Sequence, residues 1–445
     1  MKKFDAIMIG FGKGSKTLAG DMAKRGLKVA MIERSNQMYG GTCINEGCIP
    51  SKSLIIQAYK YDYPTAVEHK ETLITKLRKK NFDKLDQLDQ VTIFTAQADF
   101  VSDHEVHIHN DELDETLYGD HIFINTGSKP NIPNIKGIKE TTHIYTSAEL
   151  MKLTKLPRHL AIIGGGYIGL EFSSMYARYG SKVTVFEHGD RLVKREDQDI
   201  ADEIQKVLEN QGVSFVFSSA VKEVKNDGDS VVLTYDDASH QTHTQVFDGV
   251  LLAAGRHANT ASLHLERAGV NTDTRGTILV NEHLQTNVPH IYAMGDVKGG
   301  LQFTYISLDD YRIVNDHLFG NGTRTTNHRG NIAYSVFISP TFSRVGLSEQ
   351  EALDAGYEVK IATMSAAAIP RANVISQPNG LLKAVIDAKT DQILGCVLFC
   401  AESEEIINFV ALAMDQKLPY QAIRDHIFTH PTMSEALNDL FSNVK

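Results

Sequence analysis

The chain carries one strand, glycine turn and helix pattern twice, and that repetition constrains its fold more than any other feature. The first copy, FDAIMIGFGKGSKTLA, starts at Phe4 and the second, HLAIIGGGYIGLEFSSM, at His159. Each opens with a continuous apolar run of the kind that forms a buried parallel strand, passes through clustered glycines, and continues with apolar residues at helical spacing. In the first, Gly10, Gly12 and Gly14 precede Ser15, which takes the place of a third glycine; in the second, Gly164, Gly166 and Gly169 fill all three places. Such a turn lets backbone approach a pyrophosphate and aims helix N–H groups at its charge. Each copy runs on into a strand that ends in an acid, KVAMIE to Glu33 and KVTVFE to Glu187. A carboxylate about 20 residues beyond the glycines can accept hydrogen bonds from an adenosine ribose. One glycine motif alone is weak evidence, but two complete copies predict two Rossmann-like dinucleotide-binding domains in an α/β protein.

At 445 residues the chain exceeds a single hydrophobic core, and roughly 100 to 200 residues per domain leads us to expect three domains. The formal charge of −10 offers no attraction to phosphate backbones or anionic lipid, which argues against nucleic acid and membrane surfaces as partners. Lys2 and Lys3 precede an apolar stretch, but it is short and broken by glycines, so it reads as a strand and not as a secretion signal. No apolar run approaches the roughly 20 residues that span a bilayer. Only four cysteines occur, Cys43, Cys48, Cys396 and Cys400, too few for a secreted disulfide scaffold. A cytoplasmic redox protein is the expectation.

Beyond Arg256 the segments shorten, and FGNGTRTTNHRGN reads as a linker before a last region that starts near Ile332. There, alternating strand patterns (GLLKAVID, ILGCVLFC) mix with an amphipathic helical stretch, SEEIINFVALAMD, which predicts an α+β module.

The redox expectation centres on GGTCINEGCIPSK, Gly40 to Lys52. In a regular helix, residues five apart have Cα atoms separated by roughly 8.6 Å, beyond the limit of about 7 Å for a disulfide. A Cys43–Cys48 pair therefore needs a distorted helix. Gly47 supplies backbone freedom, and Pro50 cannot bond to the carbonyl of Glu46. The spacing alone leaves two unpaired thiols open. Lys52 follows Cys48 by one turn and, if helical, projects on the same side, where a cation could stabilise a thiolate or a reduced cofactor.

This stretch and the two glycine motifs, together with INTGS (124–128), LLAAGR (251–256), IYAMGD (291–296) and HPTMSE (430–435), resemble the pyridine nucleotide-disulfide oxidoreductase family over the whole chain. The resemblance implies an FAD-binding domain in two parts, 1–148 and 258–328, an NAD(P)H-binding domain at 149–257, and a dimerisation domain at 329–445. Gly10, Gly12, Gly14, Ser15, Glu33, Gly41, Thr42, Gly127 and Asp296 would then serve FAD. Gly164, Gly166, Tyr167, Gly169, Glu187 and Gly255 would serve the nicotinamide nucleotide, with Tyr167 as an aromatic lid over the flavin. Cys48 would be the thiolate beside the flavin and Cys43 the sulfur that exchanges with substrate. Glu171 would pair with Lys52. His430 and Glu435 would form an acid–base pair reaching across a homodimer, with the His430–Pro431 bond cis.

SNQMYGGTCINEGCIPSK, GGLQFTYISLDDYRIV and MSEALNDLFS are similar to the reactive-chlorine-resistance subgroup, which implies copper(II) reduction under oxidative or hypochlorous stress, with Cys43 and Cys48 holding the substrate metal. FTYISLDDY replaces an Ala- and His-containing helix usual in dihydrolipoamide dehydrogenases. The ending FSNVK lacks the cysteine pair of mercuric reductases, although Cys396 and Cys400 leave soft metals such as mercury(II) open. A small-disulfide reductase and a flavin redox sensor or assembly subunit are the rival expectations. Glu187 would repel the 2′-phosphate of NADPH, so NADH is the expected donor, with Arg191 near enough to offset this.

Overall fold

The computed structural model describes residues Met1–Lys445 and divides into two compact units. The first comprises Met1–Ile132, Ser147–Thr154 and Gly255–Arg329, and the second Pro133–Thr146, Lys155–Ala254 and Gly330–Lys445.

In the first unit, strands β1 (Lys2–Ile9), β2 (Val29–Glu33) and β3 (Val91–Thr95) pair in parallel. The helix α1 (Lys13–Lys24) connects β1 to β2. Every residue of β2 is buried, as expected of a strand covered on both faces. A meander of β4 (Gln97–Phe100), β5 (Glu105–His109) and β6 (Asp114–Ile124) completes the sheet in the order β3-β2-β1-β6-β5-β4. The eleven residues of β6 pair with β5 near their start and with Ile291–Ala293 at their end, so the late part of the sequence returns to the first sheet. Helices α2 (Thr42–Asn45), α3 (Cys48–Gln57) and α4 (Tyr63–Asp86) follow β2.

The second unit repeats the parallel design. Strands Val213–Val216, Lys182–Phe186, His159–Ile163, Gly249–Leu252 and Ile144–Tyr145 lie side by side in that order, all parallel. Its last part is a five-stranded antiparallel sheet with helices Ser403–Asp415 and Ala436–Ser442 packed on it. The α/β class, two Rossmann-like folds and the C-terminal α+β module are thus all present.

The segment read as a linker contains the passage from the first unit to the second, between Arg329 and Gly330, and its first part is held by ion pairs. Arg324 and Arg329 pair with Asp309 and Asp310 on the helix Thr304–Phe319, because Asp310 is fully buried and needs cations. Cys396 and Cys400 lie inside the C-terminal core. Burial pushes both thiols up, Cys400 to about 12, which leaves them unreactive and poor soft-metal ligands.

Candidate active site

The cysteine stretch folds as the disulfide geometry requires. Helix α2 ends at Asn45, Glu46 and Gly47 leave helical conformation (Gly47 φ −121°, ψ −115°), and α3 starts anew at Cys48. The break brings the two thiols into hydrogen-bond contact. Donation from Cys48 draws Cys43 down to about 6, opposed by burial and assisted by the Thr304 hydroxyl and by the charges of Lys16 and Lys52. The remaining proton is held on Cys48, whose own ionisation moves upward, first because it donates to Cys43 and then because of burial. The lowered pKa makes Cys43 the sulfur of the pair better suited to exchange.

Three residues near the sulfurs escaped the sequence reading. Oγ1 of Thr304 is 3.8 Å from Sγ of Cys48. Tyr305, next to it, has its phenol pushed upward by burial and by the nearby Cys48. Both open the helix Thr304–Phe319, more than 250 positions from the cysteines. FTYISLDDY was visible as a departure from a pattern, but not as a source of hydroxyls. Lys16 sits on α1 and donates to the Gly40 carbonyl at 3.0 Å and to Asn81 Oδ1 at 2.7 Å. Burial lowers its pKa to about 8.

Beside this pair runs a strip of bare backbone. Gly41 has φ +81°, and a Cβ on it would stand 2.9 Å from the Cα of Gly12, so the loop before α2 touches the first glycine turn. Ser15 bonds the Gly10 carbonyl, which explains how serine replaces glycine there. The N–H of Gly14 goes to Ser307 Oγ at 3.1 Å and that of Ser15 to Asn125 Oδ1 at 3.2 Å. Those of Gly12 and Lys13 are left for an anion at the helix N-terminus. Glu33 accepts the Phe11 N–H at 3.1 Å, and burial raises its pKa. Gly127 turns next to Thr42. Asp296 is half-buried, accepts from Ser128 Oγ at 3.0 Å, and its pKa is likewise raised by desolvation. A diphosphate and a polyol chain suit this strip.

The second glycine turn is built the same way. A Cβ on Gly169 would lie 2.0 Å from the Gly164 carbonyl, so helix Tyr167–Arg178 can seat on its strand only with glycine there. Glu187 accepts the N–H of Gly165 and that of Gly189, each at 2.7 Å. The acid braces the turn besides standing at the strand end, and Gly166 caps the helix without a side-chain bond. Arg191 is engaged by Gln198 and the Lys194 carbonyl. The ring of Tyr167 packs at a tilt against Tyr334, centroids 5.4 Å apart, and the Tyr334 hydroxyl donates to Glu196 at 2.7 Å. Glu171 accepts the Phe337 N–H at 2.9 Å. His430 and Glu435 are hydrogen-bonded, and the His430–Pro431 peptide is cis. Gly255 lies where the chain passes into the first unit, and its carbonyl accepts from Asn131.

The structure thus gathers Cys43, Cys48, Lys52, Gly41 and Thr42 in the first unit. It places Tyr167, Glu171, Glu187, His430 and Glu435 in the second.

Comparison with known proteins agrees with this geometry. Residues 4–310 match the family model for pyridine nucleotide-disulphide oxidoreductase, and residues 332–441 match its dimerisation domain. The chain is 48% identical to the probable pyridine nucleotide-disulfide oxidoreductase RclA of Escherichia coli (strain K12), covering 100% of both. It is 30% identical to a mercuric reductase of Staphylococcus aureus, over 98% of this chain and 81% of that protein. Among solved structures it matches the Cu(II) complex of the HOCl-induced flavoprotein disulfide reductase RclA from Escherichia coli with a TM-score of 0.97 and 47% identity over 100% of both chains. The chain belongs to the pyridine nucleotide-disulphide oxidoreductase family of FAD-binding oxidoreductases.

Proposed function

We propose that this chain is an FAD-dependent, NADH-oxidising reductase that delivers electrons through Cys43 and Cys48 to copper(II) in defence against oxidative or reactive-chlorine stress. One observation carries the reading. The thiols of Cys43 and Cys48 lie within hydrogen-bond contact across a helix break, and they do so in a chain that matches, end to end, a reductase solved as its Cu(II) complex. Segments 1–148 and 258–328 would hold FAD, 149–257 the nicotinamide nucleotide, and 329–445 a second copy of the chain. Bound FAD would supply the relay that accepts a hydride from NADH and passes the electron pair on to sulfur.

The chain's own residues do the rest. Gly10, Gly12, Gly41 and Thr42 hold the diphosphate, and Asp296 orients the polyol. Glu187 favours the free 2′-hydroxyl of NADH, with Arg191 turned to Gln198 and Lys194. Lys52 supports the charge on the sulfur pair. Cys43 and Cys48 take the metal ion. Closing the dithiol to a disulfide releases two electrons and two protons, so two copper(II) ions become two copper(I). In the homodimer, His430, oriented by Glu435, moves protons at the sulfur pair of the second copy. No helix is long and apolar enough to cross a membrane.

NADH oxidation by the FAD-loaded protein, with Cu(II), Hg(II), glutathione disulfide and lipoamide offered in parallel, tests this. Turnover with Cu(II) is expected. Turnover with a disulfide alone would reject the metal reading and favour the small-disulfide alternative, which the 30% identity to a dihydrolipoyl dehydrogenase of Chlamydia muridarum (strain MoPn / Nigg) supports. No turnover with any acceptor would favour a redox sensor.

A further inference from the structure

A second group of metal-ligating side chains lies on the β4-β5-β6 meander and has no part in the reaction above. His107 and His109 are two apart on β5 and so share a face. Asp99 on β4 is the direct register partner of His107. The alternate residues Ala98, Val106 and Ile108 fill the core on the opposite face, which leaves the imidazoles toward solvent. Nδ1 of His107 lies 3.1 Å and Nδ1 of His109 3.6 Å from the same Asp99 oxygen, Oδ1, and one ligand atom from each residue falls within 4.8 Å of the others. A tetrahedral ion about 2.1 Å from each ligand sets ligand separations near 3.4 Å. The spacing fits such an ion with little movement.

Two details point to a built site. Nδ1 of His109 is buried and makes no hydrogen bond. The far nitrogen of His107, Nε2, meets Asp114 Oδ1 at 3.0 Å, the carboxylate–histidine arrangement that fixes the tautomer of a metal-bound imidazole. Oδ2 of Asp99 accepts from Arg267 Nη1 at 3.0 Å, which turns Oδ1 toward the histidines and offsets part of its charge. Two imidazoles and one partly neutralised carboxylate suit borderline ions such as Zn²⁺, Ni²⁺ or Cu²⁺ better than Mg²⁺ or Ca²⁺.

We propose that Asp99, His107 and His109 form a surface site for a divalent transition-metal ion, with Asp114 as the positioning carboxylate. Binding replaces the proton between His107 Nδ1 and Asp99 with the ion and releases it to water, and no electron moves.

The test is equilibrium dialysis of Zn²⁺ against tag-free, FAD-loaded full-length protein carrying Cys43→Ser and Cys48→Ser, which silences the sulfur pair. One zinc per chain is expected. Adding His107→Gln and His109→Gln should abolish retention while flavin absorbance stays unchanged, and Asp114→Asn alone should weaken binding about 10-fold. Full zinc retention by the double histidine variant, or none by the parent at micromolar free zinc, would overturn the proposal. Both results stand apart from the Cu(II) assay, since neither needs turnover.

Discussion

Nδ1 of His430 lies 2.8 Å from Oε2 of Glu435, and the other oxygen of that carboxylate takes the Thr432 N–H at 3.3 Å. The imidazole is thus oriented by an acid that is itself fixed. His430 is 70% exposed while Glu435 is 18% exposed, so the ring is available to a group outside its own core. If it shuttles protons, His430→Gln should lower kcat by about 10²-fold, and Glu435→Gln by less. Unchanged kcat in steady-state NADH oxidation, with FAD content intact, would remove the pair from the mechanism.

The Cys43 value of about 6 makes Cys43 mostly thiolate at neutral pH while Cys48 keeps its proton. Because the folded pKa lies below that of an ordinary thiol, alkylation of reduced protein by iodoacetamide should rise through about pH 6 and level off well before pH 8. Cys48→Ala removes the largest cause of the shift and should move the midpoint upward. Cys396 and Cys400 should stay silent in native protein, with two fast thiols per chain by Ellman titration.

Thr304 supplies a hydroxyl to both sulfurs. Thr304→Val keeps the shape and deletes the donor, at a cost of about 1 kcal/mol to the charged form. The alkylation midpoint should rise by up to about one pH unit, and Thr304→Ser should restore it.

Glu187→Ala removes the charge facing a 2′-phosphate and unbraces the Gly165 and Gly189 N–H groups. The ratio of kcat/KM for NADH over NADPH should fall by about 10-fold or more, corresponding to about 1.4 kcal/mol. A ratio that holds steady would place the discrimination elsewhere.

Asp310 is fully buried, accepts the Gly295 N–H at 2.6 Å, and pairs with Arg329 and Lys298. Removing it leaves the buried Lys298 without its partner and Arg329 with Asp309 alone, a loss of about 3–5 kcal/mol for a broken buried pair. Asp310→Ala should lower the melting temperature and loosen FAD, since Gly295 precedes Asp296. Thermal melts with and without added FAD would check both effects.

The repeated glycine turns, their acids and the GGTCINEGCIPSK stretch were legible in the linear text because the constraints are local. A glycine is required where backbone must touch backbone within a few residues, and a helix break is encoded by Gly47 and Pro50 beside the cysteines they serve. The sequence by itself therefore determined the two nucleotide folds, the position of the sulfur pair and the family. Tertiary structure alone decided what surrounds the sulfurs and the acids. Thr304 reaches Cys48 from a distant helix, Lys16 is desolvated beside the Gly40 carbonyl, Glu187 spends both oxygens on its own turn, and Arg324 and Arg329 pin a stretch that reads as a linker. Hydrogen bonding and desolvation act through space, and their strength depends on burial that no single segment of the chain specifies.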